Sequence, residues 1–347
     1  MADIRYGEQG LQNFTPLMTL VEREENMLER MGLFSVDFSD QELTTFERIY
    51  AGTDNMYSVA RGADRQYAGD DEAKTAHVQI PFFTLDKIVK ASDVQFLRRW
   101  GTERDNQTVS DKVDSIIARL LRSHARLHKK AMYTCLKGST YAVDKDGNPR
   151  PNLQRSFQSM FEIDDADMYN GTAGGAETIN LQDTAENPAD TFEKFRKHVI
   201  DKAGDEGDNY RIVALMGSSA FTDLKNHPDY VEAFANYASS EEPLRRRLGG
   251  LSNNRVLEWQ GVTYVEDISG EIGTDEIYMF PLGFEGMFQL MYGPDDTIDA
   301  ANGDDPVAEA YLWVEQDRRK VVAESSAALV AVCTRIDLVA HFTNTQP

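Results

Sequence analysis

The feature that most constrains this chain is one uninterrupted amphipathic run. Val109, Val113, Ile116, Ile117, Leu120, Leu121, Leu127, Ala131, Met132 and Leu136 recur at spacings of three and four, the period of one helix face. Thr108-Val-Ser-Asp111 is a capping-box-like start, and Gly138 is a natural stop after Lys137. The spacing predicts a single helix over 109–137, about 29 residues and roughly 43 Å long at 1.5 Å per residue. Its other face carries Lys112, Arg119, Arg122, Arg126, Lys129 and Lys130. Helices in globular cores usually run three or four turns, so this one reads as a spine along which other segments are laid.

Charge sets the next constraint. The 347 residues carry 58 Asp and Glu against 36 Lys and Arg, a net of −22. That average repels phosphate and argues against a dedicated nucleic-acid binder. Arg98 to Arg155 holds 13 basic and 6 acidic side chains, whereas Met160 to Tyr210 holds 13 acidic and 4 basic. Such opposed segments either pair one copy with another or form two solvated faces of one molecule. An apolar share of 41% is ordinary for a soluble chain. No apolar run approaches the roughly 20 residues that span a bilayer, so no membrane association is expected. Met1 to Gln12 is polar and mixed in charge, unlike a signal peptide. Cys135 and Cys333 form no disulfide framework and are expected to be small buried apolar residues in a reducing cytoplasm.

Along the chain, residues 1–45 are weakly patterned, with a plausible helix at Leu17–Met31 that Gly32 can end. Residues 46–90 read as an open hairpin. Ile49, Tyr57, Val59 and Tyr67 mark the first limb, and His77-Val-Gln-Ile-Pro-Phe-Phe83 the returning one. Between them Arg61 to Glu72 is polar, glycine-bearing and poor in anything to bury, which suits pairing with another subunit. A turn is expected at Asp146-Gly147, a helix opening at Asn187-Pro188, and a strand over Tyr210–Met216 followed by helices at 218–226 and 229–238. Strands near 255–267, 275–281 and 287–292 precede an acidic loop from Gly293 to Pro306 and a final apolar run, Ala327–Phe342. The mixture of unequal strand and helix signals makes this an α+β protein.

No motif supplies convincing chemistry. His124 and His128 share a helix face as zinc ligands do, but Ala125 stands where a metalloprotease needs Glu, and no third ligand is evident. Asp144-Lys-Asp-Gly-Asn148 has its glycine two positions too early for a calcium loop and reads as a turn. Gly217-Ser-Ser-Ala-Phe221 lacks the second glycine of a nucleophile elbow, and its serines read as helix caps. Gly171-Thr-Ala-Gly-Gly175 has no lysine for a phosphate loop. The acidic groups at 164–167 and 295–299 are either solvated loops or, less favourably, cation sites. No catalytic residue, metal site or cofactor is expected.

Several segments together carry a resemblance. Ile80-Pro-Phe-Phe-Thr-Leu-Asp86, then Asp93-Val-Gln95, then Arg98-Arg-Trp-Gly101, then the long basic helix ending Leu136-Lys-Gly138, are similar in order to the major head protein of lambda-type tailed phages. Val213-Ala-Leu-Met-Gly217 with Phe221, Leu224 and His227-Pro228 resembles the strand–helix opening of that family's axial domain. Glu258-Trp-Gln-Gly-Val-Thr-Tyr264 resembles its central strand pair, and Phe288–Pro294 the stretch before the chain turns back. The resemblance covers roughly residues 46–342 through order and spacing.

It implies the Hong Kong 97 capsid fold, with an amino-terminal arm at 1–45 and an extended loop at 46–90. A peripheral domain at 91–185 and 327–347 would hold the spine helix, and an axial domain would occupy 186–326, with Ala327–Phe342 as the last strand. The implied function is a structural subunit of an icosahedral head. Copies would assemble in the host cytoplasm into hexamers and pentamers, enclosing double-stranded DNA in the virion by weak, non-specific contact. Implied partners are a separate scaffolding protein, a portal and a decoration protein. No cleaved scaffolding segment is expected ahead of the loop, and Lys74 and Lys87 give no basis for expecting covalent cross-links. Contacts between copies are expected from Arg48, Arg61 and Arg65 meeting acidic patches, and from Asp70, Asp71 and Glu72 meeting Arg119, Arg122, Arg126 and Lys130 on the helix. The alternatives are an encapsulin-like nanocompartment shell and an acidic, metal-dependent α/β enzyme.

Overall fold

The structure, a computed structural model, describes residues 11–13, 25–50, 72–90, 92, 109–171, 175–183, 187–203, 210–236, 255–303, 305–317 and 319–345. In chain order its elements begin with β1 (Leu11–Asn13), α1 (Met27–Arg30), β2 (Ser35–Phe38), β3 (Leu43–Tyr50), β4 (Glu72–Gln79), β5 (Phe82–Thr84) and β6 (Lys87–Lys90). The long helix α2 (Val109–Leu136) is followed by α3 (Phe157–Met160), β7 (Ala176–Ile179), α4 (Pro188–Ala203), β8 (Arg211–Met216), α5 (Ser218–Asn226) and α6 (Pro228–Asn236). Then come β9 (Val256–Trp259), β10 (Val262–Glu266), β11 (Glu276–Leu282), β12 (Phe288–Tyr292), α7 (Ile298–Asn302), β13 (Tyr311–Gln316) and β14 (Lys320–Cys333). A 3-10 turn (Ile336–Leu338) leads into β15 (Ala340–Asn344).

The fourteen-residue β14 is the axis of a seven-stranded sheet. Its odd-numbered residues bond the segment 81–85, as in Leu85 N–H to Ser325 O and Leu329 N–H to Pro81 O. Even-numbered residues bond the opposite side, as in Gly293 N–H to Ala328 O. So β5 and β6 run along one side of β14, while β13 and β12 lie end to end along the other, flanked by β1 and β2. The helix α2 lies on one face of this sheet. Val113, Ile116, Ile117 and Leu120 bury its apolar stripe there, and His124 meets Ser325 Oγ.

The second sheet has the order β7-β15-β11-β8-β10-β9. Strand alternation divides it cleanly. Ile212, Ala214 and Met216 of β8 share a core with Phe192, Phe195, Phe221 and Leu224 from α4 and α5. Val213 and Leu215 point the other way, into the core that continues toward α2. Each phenylalanine buried here contributes roughly 1.5–3 kcal/mol relative to exposure. Gln260 and Gly261, at φ +49 and +77, make the two-residue turn that closes β9 on β10.

The structure departs from the sequence reading at four places. The apolar run Ala327–Phe342 is not one strand. It breaks at Thr334–Val339, so β14 ends in the first sheet and β15 joins the second, beside β11 and β7. Residues 288–316, expected with the axial segment, supply β12 and β13 to the α2-bearing sheet. The returning limb of the hairpin starts at Glu72 and not at His77, and eight register pairs, Leu43 with Gln79 through Tyr50 with Glu72, form it. The α5 cap is Gly217 with no side-chain bond, so the serines are not caps. A Cβ at Gly217 would come within 2.1 Å of the Gly273 carbonyl oxygen, so only glycine fits. Of the helix expected at Leu17–Met31, the described part is α1, which Asn26 caps reciprocally with Glu29 before Gly32 at φ +64.

Candidate functional site

Along β3 the period of two puts Thr44, Phe46 and Arg48 on one face, and all three are buried. Arg48 is therefore not the exposed contact residue expected of it. Its Nη2 stands 3.2 Å from Asp337 Oδ1, with the two side chains 1% and 2% exposed. Asp337 also takes the fork of Arg335, whose Nε and Nη2 donate at 3.0–3.2 Å. Arg335 Nη2 donates in addition to Lys202 O at 2.8 Å, tying in the end of α4. Lys202 Nζ donates to Asp167 at 2.6 Å, and that bond holds the Asp167 carboxyl below its usual range. One buried carboxylate thus joins the hairpin root to the turn where the chain passes from one sheet to the other. The turn is buried where α3, α4 and the hairpin's Arg48 pack against it.

Arg61, Arg65, Asp70 and Asp71 lie outside the described residues. Glu72 opens β4 opposite Tyr50, with its side chain outside them as well. Lys74 Nζ donates to the Glu162 carbonyl at 2.9 Å, a second tether of the hairpin, and Lys87 is exposed.

The basic residues of α2 divide into two groups. Arg119, Arg122 and Arg126 are exposed and Lys130 is half-buried, and no acidic residue occurs from Ser115 to Leu136 to neutralise them. Lys129, Tyr133 and Lys137, each four residues on, form a different stripe that grips the loop between β10 and β11. Lys129 Nζ donates to Ser269 O and Lys137 Nζ to Glu271 O, both at 2.8 Å. Tyr133 Oη donates to Asp267 Oδ1 at 2.9 Å. Burial, then the Asp267 charge, pushes the Tyr133 phenol well up. Sequence reading missed this junction, although the four-residue spacing beside the apolar stripe was its signal.

The other motif residues are taken up inside the fold. His128 Nδ1 pairs with Tyr292 Oη at 3.2 Å, so the two helix histidines face the sheet. Asp144 accepts from the backbone of Asp146 and Asn148, forming the turn, with Gly147 at φ +84. Asp295 accepts from Ser326 Oγ at 2.6 Å and Trp313 Nε1 at 3.0 Å. Asp165 accepts from Gln158. Cys135 and Cys333 are buried free thiols, which burial pushes up. Among the described residues no group of three or more His, Cys, Asp or Glu is placed to hold a metal. No helix among them is long and apolar enough to cross a membrane.

Comparison with known proteins gives these surfaces a setting. The family model described as phage major capsid protein E matches residues 11–344. The chain is 24% identical over 322 residues to the major capsid protein of Pseudomonas phage KPP10, covering 87% of this chain and 88% of that one. Among solved structures it resembles the capsid asymmetric unit of cyanophage Pam1, with a TM-score of 0.53 and 12% identity over 100% of both chains. It also resembles the asymmetric unit of the mature capsid of bacteriophage PhiM1, at TM-score 0.51 and 13% identity over 100% of this chain and 93% of that one. The fold is the Hong Kong 97-type capsid fold.

Proposed function

The chain belongs to the phage major capsid protein E family, a shell-forming component of the virion, and on that premise we propose how its copies meet. Subunits close into hexamers and pentamers of an icosahedral head around double-stranded DNA, through heterologous contacts repeated about symmetry axes. The extended loop between β3 and β4 lies over a neighbour's α2. There Asp70, Asp71 and Glu72 face Arg119, Arg122, Arg126 and Lys130, and Arg61 and Arg65 face acidic patches. Arg48 is excluded from this set by its burial. Each exposed pair contributes about 0–1 kcal/mol, so the closed shell gains its strength by repetition, and misplaced subunits can leave.

The observation that carries this reading is the exposed basic stretch of α2, free of acidic residues from Ser115 to Leu136, in a chain of net charge −22. The peripheral unit follows the first sheet, with α2, the hairpin and residues 288–333. The axial unit follows the second sheet, residues 176–282 with 340–344. Assembly takes place in the host cytoplasm with a separate scaffolding protein, a portal and, in some shells, a decoration protein. DNA contact is weak and non-specific, and the chain's role is structural, without catalysis. Electron microscopy of the expressed chain tests the reading: uniform closed shells or rings are expected, and a monodisperse monomer under all assembly conditions would overturn it.

A further inference from the structure

We infer that adjacent copies also join side by side through the two opposite edges of the seven-stranded sheet, a contact that rests on the shell reading above. Three strand spacings, roughly 14 Å in all, separate β2 on one edge from β5 and β6 on the other, with β12 and β14 between them. Among the described residues no strand pairs with the outer side of β2 or of β5 and β6. Such an edge offers backbone groups to another chain, apart from the Phe38 N–H, which donates to Asp37 Oδ1 at 2.8 Å.

The two edges are complementary in apolar surface and in charge. Every residue of β2 is exposed, including Val36 at 52% and Phe38 at 51%. The opposite edge exposes Leu85 at 48% and Ile88 at 47%. Large apolar side chains half in water on both rims of one sheet mark a contact surface. Val36 and Phe38 pair with Leu290 and Tyr292 on the face that carries α2, and Leu85, level with Ser325, shares that face, so a neighbour related by rotation about the sheet normal sets them together. The charges run in opposite senses. Asp37 and Asp40 lie on the β2 rim, with no base between Ser35 and Glu42. Lys87 of β6 is exposed on the other rim, beside Asp86, whose carboxylate accepts from Ser325 N–H, and Lys320 is exposed one strand in, at the end of β14 where it pairs with Lys90. A contact between unlike patches is heterologous, so it propagates from copy to copy and closes only as a ring. Like rims repel, which disfavours the head-to-head arrangement.

Charge reversal tests the pairing. One variant carries Asp37→Lys and Asp40→Lys, a second Lys87→Glu and Lys320→Glu, and a third all four substitutions. Shell yield is read by sedimentation and electron microscopy beside wild type, and retention of fold by circular dichroism. Either single-rim reversal sets like charges against each other and is expected to lower shell yield at least about tenfold. The four-fold variant restores opposite charge across the contact and is expected to recover most of the yield. Shells at wild-type yield from a single-rim variant, or folded four-fold variant that stays unassembled, would overturn the contact. A wild-type chain that forms no oligomer would instead overturn the shell reading beneath it.

Discussion

Arg48 and the arginines of α2 show how differently one residue type is used in this chain. Arg48 is inside, 3.2 Å from Asp337, at the junction of the two sheets. Arg119, Arg122 and Arg126 stand in solvent along one helix face without a neighbouring acid on that helix. A buried guanidinium must offset several kcal/mol of desolvation through its partner, so Arg48 fixes the direction in which the hairpin leaves the body. An exposed one costs nothing to the monomer and is available to another copy. Loss of the first is therefore expected to cost fold, and loss of the second, on the contact proposed above, to cost assembly.

Breaking that distinction is simplest at Arg48. Arg48→Met removes the hairpin's partner for Asp337 while Arg335 stays, and stability is expected to fall by about 3 kcal/mol, the lower end for a broken buried pair. Urea denaturation reads it as a lower midpoint at unchanged slope. An unchanged midpoint with lost shells would place Arg48 among the contact residues after all. The converse variant, Arg119→Glu with Arg122→Glu and Arg126→Glu, is expected to shift stability by only about 0.5 kcal/mol per site. Its shell yield should fall about tenfold or more in the same sedimentation assay.

The helix carries a finer version of the comparison. Tyr133→Phe deletes the bond to Asp267 and is expected to cost about 1–1.5 kcal/mol while leaving assembly of the folded fraction intact. Acid sharpens it least. The Arg255 bond to Glu266, at 2.5–2.6 Å, and the Lys202 bond to Asp167 hold both carboxyls below their usual range. Their folded values lie below the unfolded ones of about 4, so this stabilisation is complete above about pH 5 and lost as pH falls through the lower folded values. Thermal melts should be flat from pH 7 to 5 and decline below, with Glu266→Gln showing a shallower decline.

Much of this organisation was legible in the sequence. The helix was visible because its apolar positions keep one period over 28 residues, and it ends at Leu136, one residue before the expected limit. The strand at 211–216 and helices α4 to α6 were visible for the same reason. The first sheet was harder. β2 is four residues, Ser-Val-Asp-Phe, and pairing with β12 makes it a strand. The run 327–342 looks like one strand because apolar residues continue across the break. What breaks it is Asp337, whose carboxylate takes Arg335 two residues before it and Arg48 from far back in the chain. The proposed contact set rests on a charge pattern alone, and nothing local distinguishes the buried Arg48 from Arg61 or Arg65. The Arg48–Asp337 pair, the stripe through Tyr133 and the two rims of the sheet all depend on tertiary neighbours that no period reveals.

A reconstruction of the assembled shell at side-chain detail tests the central claim most directly. Protein density from a neighbouring copy's loop, carrying Asp70, Asp71 and Glu72, is expected across Arg119, Arg122 and Arg126. A shell in which that helix face meets no other subunit, with the loop folded back on its own chain, would contradict it.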